Sequence, residues 1–235
     1  VEAELDSHDP QQAMNAMMTA DMVVVLSAFK HLAADYADVM LPIAPFTETS
    51  GAYINTEGRV QTFNAVVKPQ GDTRPAWKVL RVLGNLLHLP GFEYHSTEDV
   101  RSELLAGAGG EASVVGALDN TLKQVVLADI SVKANAIERI GEVPIYQSDA
   151  IVRRAPALQA AKDAQAPRAW ANGSLMQRLS LNEGDMLLLK QGAGQTQLPL
   201  GRDDRLPDNC VRVAAAHPLT AGLGGMFDAI TVVRA

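Results

Sequence analysis

The pattern of apolar and polar positions divides the chain into an opening stretch that alternates helix and strand and a closing stretch of short strands. Asp9-Pro10-Gln11-Gln12 has the form of a helix start: Asp9 can cap free N–H groups, Pro10 suits the first helical position, and Gln12 stands where a capping box needs it. Ala13, Met14, Met17 and Met18 then share one face, which predicts core packing through flexible thioethers. Met22 to Leu26 is an unbroken apolar run, the mark of a strand covered on both faces. After a short helix over Ala33 to Ala37, Val39, Leu41 and Ile43 alternate as a second strand, and this repetition predicts parallel pairing. Asn55-Thr56-Glu57-Gly58 has Asn first and Gly fourth in a type I turn between Tyr53-Ile54 and Val60 to Phe63, a short hairpin.

Beyond the hairpin, Thr73 and Pro75 start a helix whose face of Ala76, Leu80, Leu83 and Leu87 is expected to pack on the sheet. Leu89-Pro90-Gly91 stops it, and Ser96-Thr97-Glu98-Asp99 opens another helix through Leu105. Gly107 to Gly110 is a flexible boundary, and Glu111 to Glu142 has only weak periodicity. From Pro167 onward the pattern changes: Asn172 caps a short helix through Leu179, and Asn182-Glu183-Gly184-Asp185 turns into Met186 to Leu189. Gly192-Ala193-Gly194 then joins that strand to Thr196 to Leu200 as a hairpin, and Cys210 to Ala214 and Ile230 to Val233 are further strands. The predicted class is α/β, a partial doubly wound parallel sheet segment followed by a C-terminal β-barrel. The domain reading is an α/β segment over 1–107, a linker or covering segment over 108–166 and the barrel over 167–235.

At 235 residues with 47% hydrophobic and 20% charged residues, the chain is globular, and no apolar run approaches the ~20 residues a membrane helix needs. The chain opens on Val1-Glu2-Ala3-Glu4 without Met, and a fragment of a longer protein is expected. Cys210 is the only cysteine, which excludes an internal disulfide and any Cys₄ site; a buried position beside Val211 and Val213 is expected for it. His8, His31, His88, His95 and His217 are scattered, with no pair at helical metal-ligand spacing. The net charge of −7 falls wholly on residues 1–107, where 7 Lys and Arg face 14 Asp and Glu. An acidic surface without a basic run argues against nucleic acid.

The block Ala37-Asp38-Val39-Met40-Leu41-Pro42, then Glu48, Gly51, Asn55, Glu57-Gly58-Arg59 and Gln61, resembles the corresponding block of the molybdopterin oxidoreductase superfamily. Cofactor-bearing members such as formate dehydrogenases read ERR where this chain has Glu57-Gly58-Arg59; the EGR form is similar to the large iron–sulfur subunit family of NADH-quinone oxidoreductases, respiratory complex I. Val143 to Asp149 and Val152 to Gln159 form a second stretch similar to that family. The C-terminal element order resembles the superfamily's double-psi-like barrel.

The resemblance implies a C-terminal scaffold part of an iron–sulfur electron-transfer subunit, non-catalytic by itself, with its clusters upstream and no cofactor of its own. It implies as partners the other subunits of the complex I peripheral arm, at the cytoplasmic face of the bacterial inner membrane. The alternative is the C-terminal part of a molybdopterin-dinucleotide-dependent oxidoreductase such as a formate dehydrogenase. A free-standing barrel module is disfavoured, because the opening sheet lacks strands it needs. No catalytic or metal residue stands out; the cofactor-binding candidates are Glu48, Gly51, Asn55, Glu57, Gly58, Arg59 and Gln61, against a reading in which Gly58 completes a turn, Glu57 and Arg59 pair locally and Gln61 is a strand polar group. For Arg153 and Arg154 two readings stand: two solvated charges at an element end, or a division of work with one bridging to a carboxylate of the acidic first part and the other facing outward.

Overall fold

The structure, a computed structural model, describes residues 1–119, 121, 124–126 and 136–235. In chain order its helices are α1 (Ala3–Asp6), α2 (Pro10–Thr19), α3 (Ala76–Leu86), α4 (Thr97–Gly107), α5 (Glu111–Gly116), α6 (Pro156–Gln159) and α7 (Gly173–Arg178). The strands are β1 (Val24–Ser27), β2 (Val39–Pro42), β3 (Gly51–Ile54), β4 (Val60–Phe63), β5 (Glu138–Ile140), β6 (Ala169–Ala171), β7 (Met186–Gln191), β8 (Gly194–Arg202), β9 (Cys210–Val213) and β10 (Thr231–Arg234). Two compact units share them: Val1–Val23, His31–Ala37 and Ile130–Ala235 form the first, and Val24–Lys30 with Asp38–Asp129 forms the second. This division does not follow the expected boundary at residue 107, because the opening helices group with the C-terminal strands. Part of the weakly patterned stretch, at 120, 122, 123 and 127–135, lies outside the described residues.

The first unit is built on a mixed six-stranded sheet in the order β10-β7-β8-β6-β9-β5. β7 and β8 form the expected hairpin, with Leu187, Leu189, Leu198 and Leu200 buried on the core side at the alternation a one-faced sheet requires. Val211, Val213, Leu175 and Leu223 complete the core. The run 226–230 lies along the outer edge of β5, where Arg139 N–H donates to Asp228 O at 3.0 Å and Gly141 N–H to Met226 O at 2.7 Å. It then enters β10 at the opposite end of the sheet, so one short run serves both ends and the sheet is curled. Asn172 caps α7 as its sequence position predicts, accepting from Leu175 N–H at 2.8 Å.

Helix α2 begins where the Asp9-Pro10 pair predicts, with Asp9 Oδ1 accepting from Gln12 N–H at 3.0 Å. Its attachment to the sheet comes from one residue the sequence does not advertise. Gln11 donates from Nε2 to Gln191 O at 2.6 Å and to Gly222 O at 3.0 Å, and its Oε1 accepts from Ala193 N–H at 3.2 Å. The methionine face departs from its expected role: Pro10 is the only buried residue of α2, and Met18 is 69% exposed. Cys210 is half-buried rather than buried.

The second unit carries β1 and β2 as a parallel pair in the register Val24↔Val39 to Ser27↔Pro42, and β3 and β4 as an antiparallel hairpin. Parallel pairing is as the alternation of helix and strand predicts. Coverage on both faces is not: Val24 is exposed and the other β1 residues are only half-buried, because among the described residues β1 pairs with β2 alone. Helix α4 has the full capping box of Ser96 and Asp99. Helix α3 forms as its periodicity requires, yet only Gly84 on it is buried, and Leu80, Leu83, Leu86 and Leu87 stay exposed. The expected packing of that face on the sheet is therefore corrected: a two-stranded sheet offers too little surface to cover it.

Such an arrangement has a measurable consequence. An open strand edge on β1 and uncovered leucines on α3 recruit other chains, so the isolated 235-residue chain is expected to self-associate as concentration rises. Light scattering that gives a strict monomer at high concentration would refute this.

Candidate functional site

The family block of the sequence occupies the hairpin and the turn before it, all in the second unit. Glu48 ends a single 3₁₀ turn, Phe46–Glu48, and its Oε2 accepts from Gln70 N–H at 3.0 Å, tying the loop after the hairpin back to the loop before it. Gly51 starts β3 opposite Phe63, and a Cβ there would meet Phe63 Cζ at 2.8 Å, so the ring occupies the space a side chain would need. Asn55 organises the turn: its Oδ1 accepts from Glu57 N–H at 3.0 Å and Arg59 N–H at 2.9 Å, while its carbonyl accepts from Gly58 N–H at 2.9 Å. Gly58 is buried with φ +77°, and a Cβ would lie 2.9 Å from Leu118 Cδ1.

Glu57, Arg59 and Gln61 are exposed. The expected local pairing of Glu57 with Arg59 does not form among the described residues. The hairpin therefore brings the seven block residues into one neighbourhood and gives Glu48, Gly51, Asn55 and Gly58 structural tasks, leaving Glu57, Arg59 and Gln61 as the side chains free to meet something else.

A denser set of functional groups stands in the first unit, where both arginines of the second family stretch converge on Glu2. Arg153 donates from Nε to Glu2 Oε2, from Nη2 to Asp6 Oδ1 and from Nη1 to Gln147 O, each at 2.8 Å. Arg154 donates from Nη1 to Glu2 Oε2 at 3.2 Å and from Nη2 to Glu2 Oε1, and its Nη1 also reaches Ala150 O at 3.0 Å. The expectation of one bridging and one outward arginine is thus corrected. The short 3₁₀ turn Val152–Arg154 lets two consecutive side chains reach the same carboxylate. Burial of Glu2 works to raise its carboxyl pKa, but the hydrogen bonds and charges of Arg154 and Arg153 outweigh it and hold the group below its ordinary 4.5.

Glu2, Glu4 and His31 also stand close enough to suggest a cation site. The donor chemistry argues otherwise, because the Glu2 oxygens are already engaged by two guanidinium groups whose charge repels a metal ion. His31 Nδ1 lies 3.8 Å from Glu2 Oε1 but accepts the Ala33 N–H at 3.1 Å, so that nitrogen serves as a helix cap rather than as the cation of an ion pair. Cys210 is no better a ligand: burial, with the charge of Glu138 beside it, pushes the thiol pKa up and disfavours the thiolate.

Sequence reasoning missed the most unusual group in the unit. Arg139, on β5, is 2% exposed and pairs with no carboxylate among the described residues; it donates to Val213 O at 3.3 Å, Gln191 Oε1 at 3.2 Å, Gly224 O at 3.0 Å and Ala214 O at 3.0 Å. Desolvation lowers its pKa to about 10, still high enough to keep the charge at neutral pH. Gln191 completes the knot by donating to Gly225 O at 2.8 Å.

Comparison with known proteins agrees with the block read from the sequence. Residues 2–86 match the profile of the molybdopterin oxidoreductase family. The chain is 33% identical over 136 residues to the mitochondrial NADH-ubiquinone oxidoreductase 78 kDa subunit of Candida albicans, covering 54% of this chain and 19% of that protein. It is 38% identical over 78 residues to a candidate formate dehydrogenase of Staphylococcus aureus, covering 33% of this chain and 8% of that protein. Among solved structures, acetylene hydratase from Pelobacter acetylenicus superposes with a TM-score of 0.60 at 17% identity, over 98% of this chain and 43% of that one, a likeness of fold. The chain thus spans less than half the length of each of these relatives. Its family block, its profile match and its relatives agree in one stretch: residues 2–86 are similar to the molybdopterin oxidoreductase family.

Proposed function

We propose that the chain is the C-terminal scaffold part of the large iron–sulfur subunit of a bacterial NADH-quinone oxidoreductase. In this reading the clusters that carry electrons from NADH towards quinone lie upstream. The chain is not itself catalytic, and its surfaces dock the other subunits of the peripheral arm on the cytoplasmic face of the inner membrane. The curled six-stranded sheet is then the counterpart of the superfamily's double-psi-like barrel.

The observation that carries the reading is the middle residue of Glu57-Gly58-Arg59. Gly58 sits at positive φ with Leu118 against the place of its Cβ, so an arginine in its position, as in the ERR form, would be strained and would displace Leu118. The EGR form is therefore bound up with the packing of this unit. The longer alignment, to the 78 kDa subunit, supports the same side. The described residues do not suit an iron–sulfur or molybdenum centre: the lone Cys210 is held towards its neutral form, and Glu2 is taken by arginines.

The second reading, the C-terminal part of a pterin-dinucleotide oxidoreductase, is favoured by the higher identity to the candidate formate dehydrogenase over the shorter stretch. Elemental analysis separates the two. The purified chain is expected to be colourless and free of iron, molybdenum and tungsten, and the intact parent subunit to hold iron without molybdenum or tungsten. About one equivalent of molybdenum or tungsten in the parent would overturn the proposal in favour of the second reading, and bound metal in the chain itself would overturn its cofactor-free assignment.

A further inference from the structure

The second unit contains a groove of 390 Å³ between the β3–β4 hairpin and helices α3 and α4, a volume near the lower end of the range of small-molecule sites, about 300–1,000 Å³. Its walls are aromatic and aliphatic. Tyr53 and Phe63, diagonal neighbours on one face of the hairpin, stack with ring centroids 5.2 Å apart and planes 14° from parallel, and Trp77, Val100 and Leu105 add apolar surface. Arg101, on α4, is the one charged side chain in the lining.

That arginine is half-buried, yet it makes no hydrogen bond or ion pair with any described residue. Glu98, one turn earlier on α4, acts on it only at a distance, and its Oε2 accepts from the Thr97 hydroxyl at 3.1 Å. A guanidinium with its planar fork of donors unspent, set in an apolar wall, is complementary to a carboxylate attached to an apolar body. Lys78, outside the lining, holds its Nζ 5.4 Å from the Trp77 ring centroid.

We propose that this groove binds an elongated apolar monocarboxylate, with its tail against the Tyr53–Phe63 stack and Trp77 and its carboxylate on Arg101. The site goes beyond the scaffold reading and is independent of it, since every residue it uses lies in the second unit.

Decanoate, below its micelle concentration, is the probe. With Trp170→Phe, Trp77 becomes the sole tryptophan of the 235-residue chain and reports occupancy by its emission; calorimetry on the unaltered chain gives the same affinity independently. Decanoate is expected to bind saturably at one site. Arg101→Gln is expected to weaken it by about tenfold or more, through loss of a charge-assisted bidentate contact, while 1-decanol binds both forms alike. Arg101→Lys should fall between the two. Absence of saturable binding overturns the proposal. So does equal binding of decanoate and decanol with no effect of Arg101→Gln, which would mark the groove as the apolar footprint of a protein partner.

Discussion

Replacing Arg139 by Met is expected to destabilise the first unit by about 3–5 kcal/mol, roughly the loss of two or three buried hydrogen-bond acceptors. Two effects oppose each other. Taking a charge out of the interior relieves a desolvation cost, whose presence shows in a guanidinium pKa lowered to about 10. Against this, three backbone carbonyls and the Gln191 amide oxygen lose their donor, and each unsatisfied buried acceptor costs about 1–3 kcal/mol. A buried ion pair can be replaced neutrally when both partners are exchanged for apolar groups. Here three of the four acceptors belong to the backbone at Val213, Ala214 and Gly224 and cannot be exchanged, so the loss wins.

The position also joins β5 to β7, to the end of β9 and to the loop that carries Gly224, so the damage should spread through the sheet rather than fray one edge. Thermal unfolding followed by circular dichroism tests this. A variant that melts with or above the parent chain would show that the buried charge is a net burden and that the carbonyls find other donors.

The local signals in the sequence translated most directly into structure. Asp9, Ser96 and Asn172 cap their helices, and Asn55 with Gly58 closes the hairpin, because each depends on residues within a few positions. The parallel pairing of β1 with β2 followed from the order of elements. Coverage was not legible: the apolar runs at Met22 to Leu26 and on α3 report that a face wants burial, and nothing in them says whether the described residues supply the cover. β5 and β6 are three residues long, too short to show alternation. Gln11 and Arg139 escaped for a related reason, since their partners lie 180 and 85 residues away at Gln191 and Gly224 and are mostly main-chain oxygens, which leave no mark in composition. Arg153 and Arg154 stood out by their stretch. Only geometry could reveal that they share one carboxylate.

That shared carboxylate should make the stability of the first unit depend on acid. The Glu2 side chain is 3% exposed, and Arg153 and Arg154 together hold both its oxygens. Its folded-state pKa lies below the ordinary 4.5, so the unfolded chain takes up the proton more readily. The contribution of Glu2 is therefore complete above about pH 4.5 and is lost as pH falls through the lower folded value. Protonation leaves two guanidinium groups facing a neutral acid, with Asp6 as the remaining carboxylate bonded to Arg153 and Glu4 close by.

Glu2→Gln fixes that situation at every pH. It should cost about 3–5 kcal/mol at pH 7, as breaking a buried charge pairing does, and should flatten the acid limb of the stability profile. The arginines should then separate by their exposure: Arg153, 6% exposed and bonded to Glu2, Asp6 and Gln147 O, has more to lose on change to Lys than Arg154, which is 31% exposed. An ammonium cannot copy a planar fork across two carboxylates, so Arg153→Lys should lower the melting temperature more than Arg154→Lys. The decisive measurement is denaturant unfolding of the parent chain and Glu2→Gln between about pH 3 and 7. Parallel profiles across that range would show that Glu2 does not set the acid limb, and equal, negligible effects of the two lysine variants would return both arginines to the role of solvated surface charges.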